Sequence, residues 1–178
     1  MPKALRFRDV EPIIEELTAR HPQRSAIRGP LLACLQALAP ADYLDVLQRL
    51  GPCEIAGDFR FLGLVELASE NADRDVPDMA LGLAWWLFAV SGTGDAWLVR
   101  QTDGGASEIA FLDHDEGPAA TAKPMNLGFG QWLQLADLMA QAEGAAEDDG
   151  APEAMSAHIR RLLDTLSGGL ATRFPYAV

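Results

Sequence analysis

The chain has 178 residues, 49% of them apolar and 22% charged, which is the profile of an ordinary globular domain with a single well-filled core. Its formal net charge is −12, from 14 basic and 26 acidic side chains; such a surface repels a nucleic-acid backbone and attracts a basic protein. The N-terminal stretch MPKALRFRDVEP lacks the apolar core of a signal peptide, and the longest apolar run, Met79 to Val90, is broken by glycine and too short to span a bilayer, so a cytoplasmic location is the expectation.

Residues 9 to 20 have helical spacing. Val10, Ile13, Ile14 and Leu17 share a face, Asp9 is placed to cap the start, and Pro12 falls in the first turn. Pro30 fits the first position of a short helix carrying Leu31, Leu32 and Leu35. Pro40 opens a third helix with Tyr43, Leu44, Leu47 and Leu50 as its apolar face. Gly51-Pro52 is its stop, the glycine as a left-handed cap. The two cysteines, Cys34 and Cys53, lack zinc-site spacing and read as buried thiols.

Beyond Cys53 the texture changes to strands. FRFLGLVEL (59–67) reads as a strand or a strand with a turn, and residues 68–79 as a polar loop. AWWLFAV (84–90), AWLVRQT (96–102) and SEIAFLD (107–113) read as three strands, the last two joined by the hairpin signal Asp103-Gly104-Gly105. Residues 116–127 are loop-like, with room for one short strand. Phe129, Trp132, Leu133, Ala136 and Met139 then form a helical stripe. A last helix runs from Pro152 to Leu166 with Met155, Ile159, Leu162 and Leu166 on one side, ended by Gly168-Gly169. Helices, then hairpin-linked strands, then helices define an α+β fold with a largely antiparallel sheet of about four to six strands. One domain is expected over residues 1–143. An acidic linker follows at 144–152 (the acidic stretch itself begins at 143), and a C-terminal helix and tail, 153–178, packs on the same domain.

Three features bear on chemistry. Gly92-Thr93-Gly94-Asp95 invites a phosphate-loop reading, but such a loop must open a helix, and Ala96-Trp97-Leu98-Val99 reads as strand. It is a turn in which glycine supplies positive φ. Asp113-His114-Asp115-Glu116 is the richest titratable cluster. It is either a solvated strand end or the core of a metal or acid-base site, although neighbours on a strand point to opposite faces. Trp85-Trp86 should likewise face opposite sides of a sheet, so one of them could anchor a protein partner. No GxSxG, HExxH or Cys–His arrangement is present.

Taken in order, the Pro40-x-x-Tyr43-x-x-x-Leu47-x-x-x-Gly51 helix, the Gly92-x-Gly94-Asp95-x-Trp97-Leu98 turn and strand, the His114-Asp115 pair and the Phe129-x-x-Trp132-Leu133 helix start form a set. The set resembles the SUKH superfamily, which includes the yeast cell-wall-synthesis regulator-like domains. The likeness covers residues 38 to 140. Ala39 stands where that family usually has leucine, Leu50-Gly51-Pro52 replaces its Asn-Gly-Gly helix end, and Gly128 replaces a serine. The resemblance implies a non-enzymatic protein-binding domain without a cofactor. Its bacterial form is similar to immunity proteins that neutralise a cognate toxin, often a basic nuclease, by occluding it. A partner surface on or beside the sheet would then draw on Asp95, Trp97, His114 and Asp115. The alternatives are a regulatory adaptor with no toxin partner, or a small metal- or ligand-dependent enzyme using Asp113, His114 and Asp115.

Overall fold

The computed structural model describes residues 5–26, 33, 35–37, 39–72, 85–146 and 152–178. Six strands form one sheet: β1 (Cys53–Ala56), β2 (Phe59–Phe61), β3 (Trp86–Val90), β4 (Ala96–Gln101), β5 (Ser107–Leu112) and β6 (Lys123–Pro124). Each pairs antiparallel with the next in chain order, so the sheet is a simple meander. The helices are α1 (Val10–Arg20), α2 (Ala41–Arg49), α3 (Leu64–Ala72), α4 (Phe129–Ala146), α5 (Pro152–Leu166) and the short α6 (Leu170–Arg173). The architecture is the α+β one expected from element order.

Side-chain alternation builds two layers on the sheet. Trp97 and Val99 of β4, with Ile109 and Phe111 of β5, join the large core beneath the helices. Ala96, Leu98 and Ala110 face the other way into a smaller cluster with Leu62, Trp85 and Leu87. A bulge between Leu87 and Ala89 shifts the frame, and Phe88 and Ala89 both fall in the large core. Trp85 and Trp86 do divide between the two sides. Trp85 is buried beneath the Arg100 guanidinium, 4.6 Å from its ring centre, so it is no exposed anchor.

The large core is aromatic. Phe59 stacks on Trp97 at 5.2 Å, and Phe88 meets Trp132 edge-on at 4.7 Å. Tyr43 of α2 packs its ring among Phe61, Phe88 and Phe129. Its hydroxyl is buried with no hydrogen-bond partner among the described residues, and burial pushes its ionisation far upward. An unpaired buried hydroxyl costs free energy. Tyr43→Phe is therefore expected to raise the unfolding free energy by about 1 kcal/mol, read from the urea midpoint. A loss of stability would mean that the hydroxyl has a partner.

The N-terminal segment is held by one face of α4. Gln134 donates to the Arg8 carbonyl at 2.7 Å, Asp137 takes both Arg8 Nε and Nη2 at 3.0 and 2.6 Å, and Gln141 donates to the Arg6 carbonyl at 3.0 Å. The carboxylate of Asp137 is buried, and this fork, reinforced by Gln141, supplies its donors. Helix α5 and the tail close the same core through Ile159, Leu163, Leu170 and Phe174.

Several local expectations are corrected. Asp9 occupies the N-cap position of α1 but makes no capping bond. Gly51 is not left-handed: α2 ends on an extended Leu50 that bridges to Pro22. Gly51 is needed for closeness instead, because a Cβ there would lie 2.9 Å from the Pro22 carbonyl oxygen. Residues 64–72 form α3 rather than strand and loop. Leu67 is buried, and the Asn71 amide exchanges two hydrogen bonds with the backbone of Leu87, standing in for a strand beside β3. Helix α4 continues through 143–146, where composition suggested a linker. Its Ala-rich end is a good helix former, and Glu143 accepts the Gly57 N–H at 2.9 Å. Residues 73–84 and 147–151, Cys34 and the Leu31-Leu32 pair lie outside the described residues. Cys53 is a buried free thiol, its ionisation pushed up to about 11 chiefly by burial. Among the described residues no helix is long and apolar enough to cross a membrane.

Candidate functional site

Strands β3 and β4 are joined by Ser91 to Asp95, the glycine turn. Gly94 has φ +100°, which is why glycine stands there. Every amide from 92 to 95 is used within the protein. Gly92 donates to the Gly57 carbonyl at 3.0 Å and Gly94 to the Ser91 carbonyl at 3.2 Å. Thr93 and Asp95 both donate to Ser91 Oγ, at 3.2 and 3.0 Å. A phosphate cradle needs free amides, and this turn has none to offer.

Asp95 follows the turn with its carboxylate inside; the residue is 6% exposed. Its Oδ2 accepts Ser91 Oγ at 3.1 Å and Thr93 Oγ1 at 2.9 Å, with Tyr176 OH further out at 3.4 Å. Its Oδ1 accepts the backbone N–H of His114 at 3.1 Å and faces His114 Nδ1 at 2.8 Å. The two motifs separately legible in the sequence, Gly94-Asp95 and His114-Asp115, are thus locked to each other across the ends of β4 and β5.

His114 opens a 3-10 helix, His114–Ala119, whose N-cap is Asp113. The Asp113 carboxylate accepts the Asp115 N–H at 2.9 Å. The imidazole is half-exposed, with Asp95 on Nδ1 and the outward Asp115 carboxylate 3.1 Å from Nε2. Its ionisation is raised above the ordinary histidine range, first by the hydrogen bond to Asp95 and then by the charges of Asp115, Asp95 and Asp113. Burial alone would raise Asp95. The hydrogen bonds from His114, Thr93 and Ser91 outweigh it and hold the carboxyl below the ordinary range.

These groups line an open groove of about 450 Å³, walled by Phe111 on the sheet side and by Pro175 and Tyr176 from the C-terminal tail. Asp113 and Asp115 flank it, and neither is paired with a lysine or arginine among the described residues. Trp97, expected at a partner surface, is not there. It is 0% exposed, and its indole N–H donates to the Asp58 carbonyl at 3.0 Å. Its inward place follows from β4 register, which points Trp97 and Val99 to the helical side. Asp95 lines the groove but is largely internal. Of the four expected residues, His114 and Asp115 remain on the surface.

Sequence reasoning missed Ser91, Thr93 and Tyr176. The alternation Ser91-x-Thr93-x-Asp95 around glycine could have suggested a side-chain-bonded turn. Nothing local points to Tyr176, which lies 81 residues from its partner.

Among the described residues, one set of three could hold a metal ion: Asp95, Asp113 and His114, with potential ligand atoms within 4.8 Å of one another. Asp95 takes the place that sequence gave to Asp115. His21 and His158 are not part of this set. Comparison of the chain with models of protein families, with curated proteins and with solved structures finds no match.

Proposed function

We propose that this chain is a non-enzymatic protein-binding domain that captures a basic partner at the His114 face. The type is that of a bacterial immunity protein that neutralises a toxin by occlusion. One observation carries the reading. A buried Asp95 holds His114 at the centre of a groove rimmed by Asp113 and Asp115, neither of which forms an ion pair with a lysine or arginine among the described residues. A concave patch rimmed by acids that outnumber its one histidine suits a cationic protein surface, and a net charge of −12 speeds the encounter. Seryl and threonyl hydroxyls near the histidine are already committed to Asp95, which argues for a positioned contact surface over a nucleophile.

Co-expression with the product of the adjacent reading frame tests the proposal. If that product is toxic alone and this chain does not rescue growth, immunity for that pair is wrong. If it is not toxic and no toxin gene neighbours this one, the regulatory-adaptor reading takes over. For a rescued pair, Asp113→Asn/Asp115→Asn should leave folding intact, because asparagine can still accept the Asp115-position N–H. Association should slow about fivefold at low salt, with a smaller effect at high salt. An unchanged rate at both ionic strengths would place the partner elsewhere.

The Asp95, Asp113 and His114 set favours a second reading, a metal-dependent enzyme. Its cost is that His114 would have to give up its Asp95 or Asp115 contact to a metal. Stoichiometric zinc or manganese in the purified protein, lost in His114→Ala, would support it.

A further inference from the structure

A second concavity lies on the other side of the C-terminal tail from the His114 groove, with Tyr176 in the wall of both. It encloses about 410 Å³ between the β1–β2 turn, α4, α5 and the tail, a size ordinary for a small-ligand site. Its floor is apolar and pliable: Phe59, Met139, Met155 and Ile159, with Phe174 alongside. Two carboxylates, Asp58 and Glu143, also line it. Among the described residues, no lysine, arginine or histidine lines this cavity.

The two acids are held together by the fold. Glu143 on α4 accepts the Gly57 N–H at 2.9 Å, which fixes it beside Asp58 on the β1–β2 turn. Asp58 is half-buried, and its carboxyl is raised by that burial and by the charges of Glu143 and Asp95. No cation of the described chain answers it. An apolar cleft whose charged side chains, among the described residues, are both anionic matches an aliphatic stem ending in a positive charge, and it rejects the same stem ending in a negative one.

We infer that this cavity is a binding site for an aliphatic cation, an ammonium or guanidinium on an apolar stem, with the stem against Met139, Met155 and Ile159 and the charge at Asp58 and Glu143. The cation could be a free amine or a lysine or arginine side chain of a protein. The inference stands apart from the proposal for the His114 face, because its residues are Asp58 and Glu143 rather than Asp113 and Asp115.

The test uses methyl NMR of the full chain labelled at methionine. Met139 and Met155 line the cavity, and Met125, buried elsewhere, is the control. The expected result is that n-hexylammonium shifts Met139 and Met155 and leaves Met125 unmoved. n-Hexanol should bind more weakly by about fivefold, the worth of one partly exposed ion pair, and n-hexanoate more weakly still. Asp58→Asn/Glu143→Gln, in which glutamine can still accept the Gly57 N–H, should erase the preference for the ammonium while hexanol binding and the Met125 signal stay put. A blocked Leu-Lys-Leu peptide distinguishes the sources: binding tighter than hexylammonium marks a protein side chain, and weaker binding marks a free amine. Equal binding of the three hexyl probes, shifts confined to other methionines, or no shift at all would overturn the inference.

Discussion

Trp97→Ala is expected to lower the unfolding free energy by about 4 kcal/mol, the cost of emptying a large aromatic from a filled core. Four aromatic neighbours lean on this ring: Phe59 at 5.2 Å, Phe111 at 5.1 Å, Trp132 at 6.1 Å and Tyr176 at 6.3 Å. The substitution also leaves the Asp58 carbonyl without the indole N–H. Trp97→Phe keeps most of the packing and should cost about 2 kcal/mol. Urea unfolding followed by far-ultraviolet circular dichroism measures both. A loss below about 1 kcal/mol for the alanine variant would contradict the burial described here. At temperatures where Trp97→Phe remains folded, it should bind a partner as the wild type does. A specific loss of binding there would return Trp97 to the partner surface.

Asp95→Ala ranks second, with an expected loss of about 3 kcal/mol. The backbone N–H of His114 and the hydroxyls of Ser91 and Thr93 lose their common acceptor. Asp95→Asn retains an acceptor oxygen and should cost less. The two variants share a titration signature. In the wild type the His114 imidazole should titrate above its ordinary value of about 6.5, and in Asp95→Asn its midpoint should fall. The sign of the stability effect follows from linkage. His114 has a raised folded value, so its contribution is complete below about pH 6.5 and is lost as pH rises through that raised value. Asp95 has a depressed folded value, so its contribution is present above about pH 3.9 and is lost as pH falls through the depressed value. The lock is therefore strongest between about pH 4 and 6.5. Proton NMR of the histidine rings checks the midpoint; an unshifted His114 in the wild type would mean that the Asp95 contact is absent in solution.

The two concavities beside the tail share a design. Each has an apolar wall and acids on its rim, and Tyr176 divides them. A cationic side chain seated at Asp113 or Asp115 would have the second cleft next to it, across Tyr176. The Asp113/Asp115 and Asp58/Glu143 variants separate the two contributions.

Much of the fold was legible because patterning and turn chemistry act locally. Strands β3, β4 and β5 could be read from their apolar runs and from the glycines between them. The stripes on α4 and α5 could be read from helical spacing. Helix α3 was not legible. Its first four residues read as the end of a strand and the rest as polar loop, and its order comes from Leu67 in the core and from Asn71 bonded to β3. The same holds for Gly51, whose role is a close approach to Pro22 that no local rule signals.

By itself, the sequence determined the α+β class, the acidic character and the presence of two short motifs, Gly94-Asp95 and His114-Asp115. Each of these depends on composition or on residues within a few positions of one another. Only the tertiary structure decided which of those residues are buried and what they touch. Trp97 faces inward because strand register sets its side. Asp95 meets His114 because the β4–β5 hairpin pairs Ala96 with Leu112 and so brings residues 19 apart to one sheet end, and the tail adds Tyr176 from 81 positions away. Contacts of that range are made by packing and are not written in any local pattern.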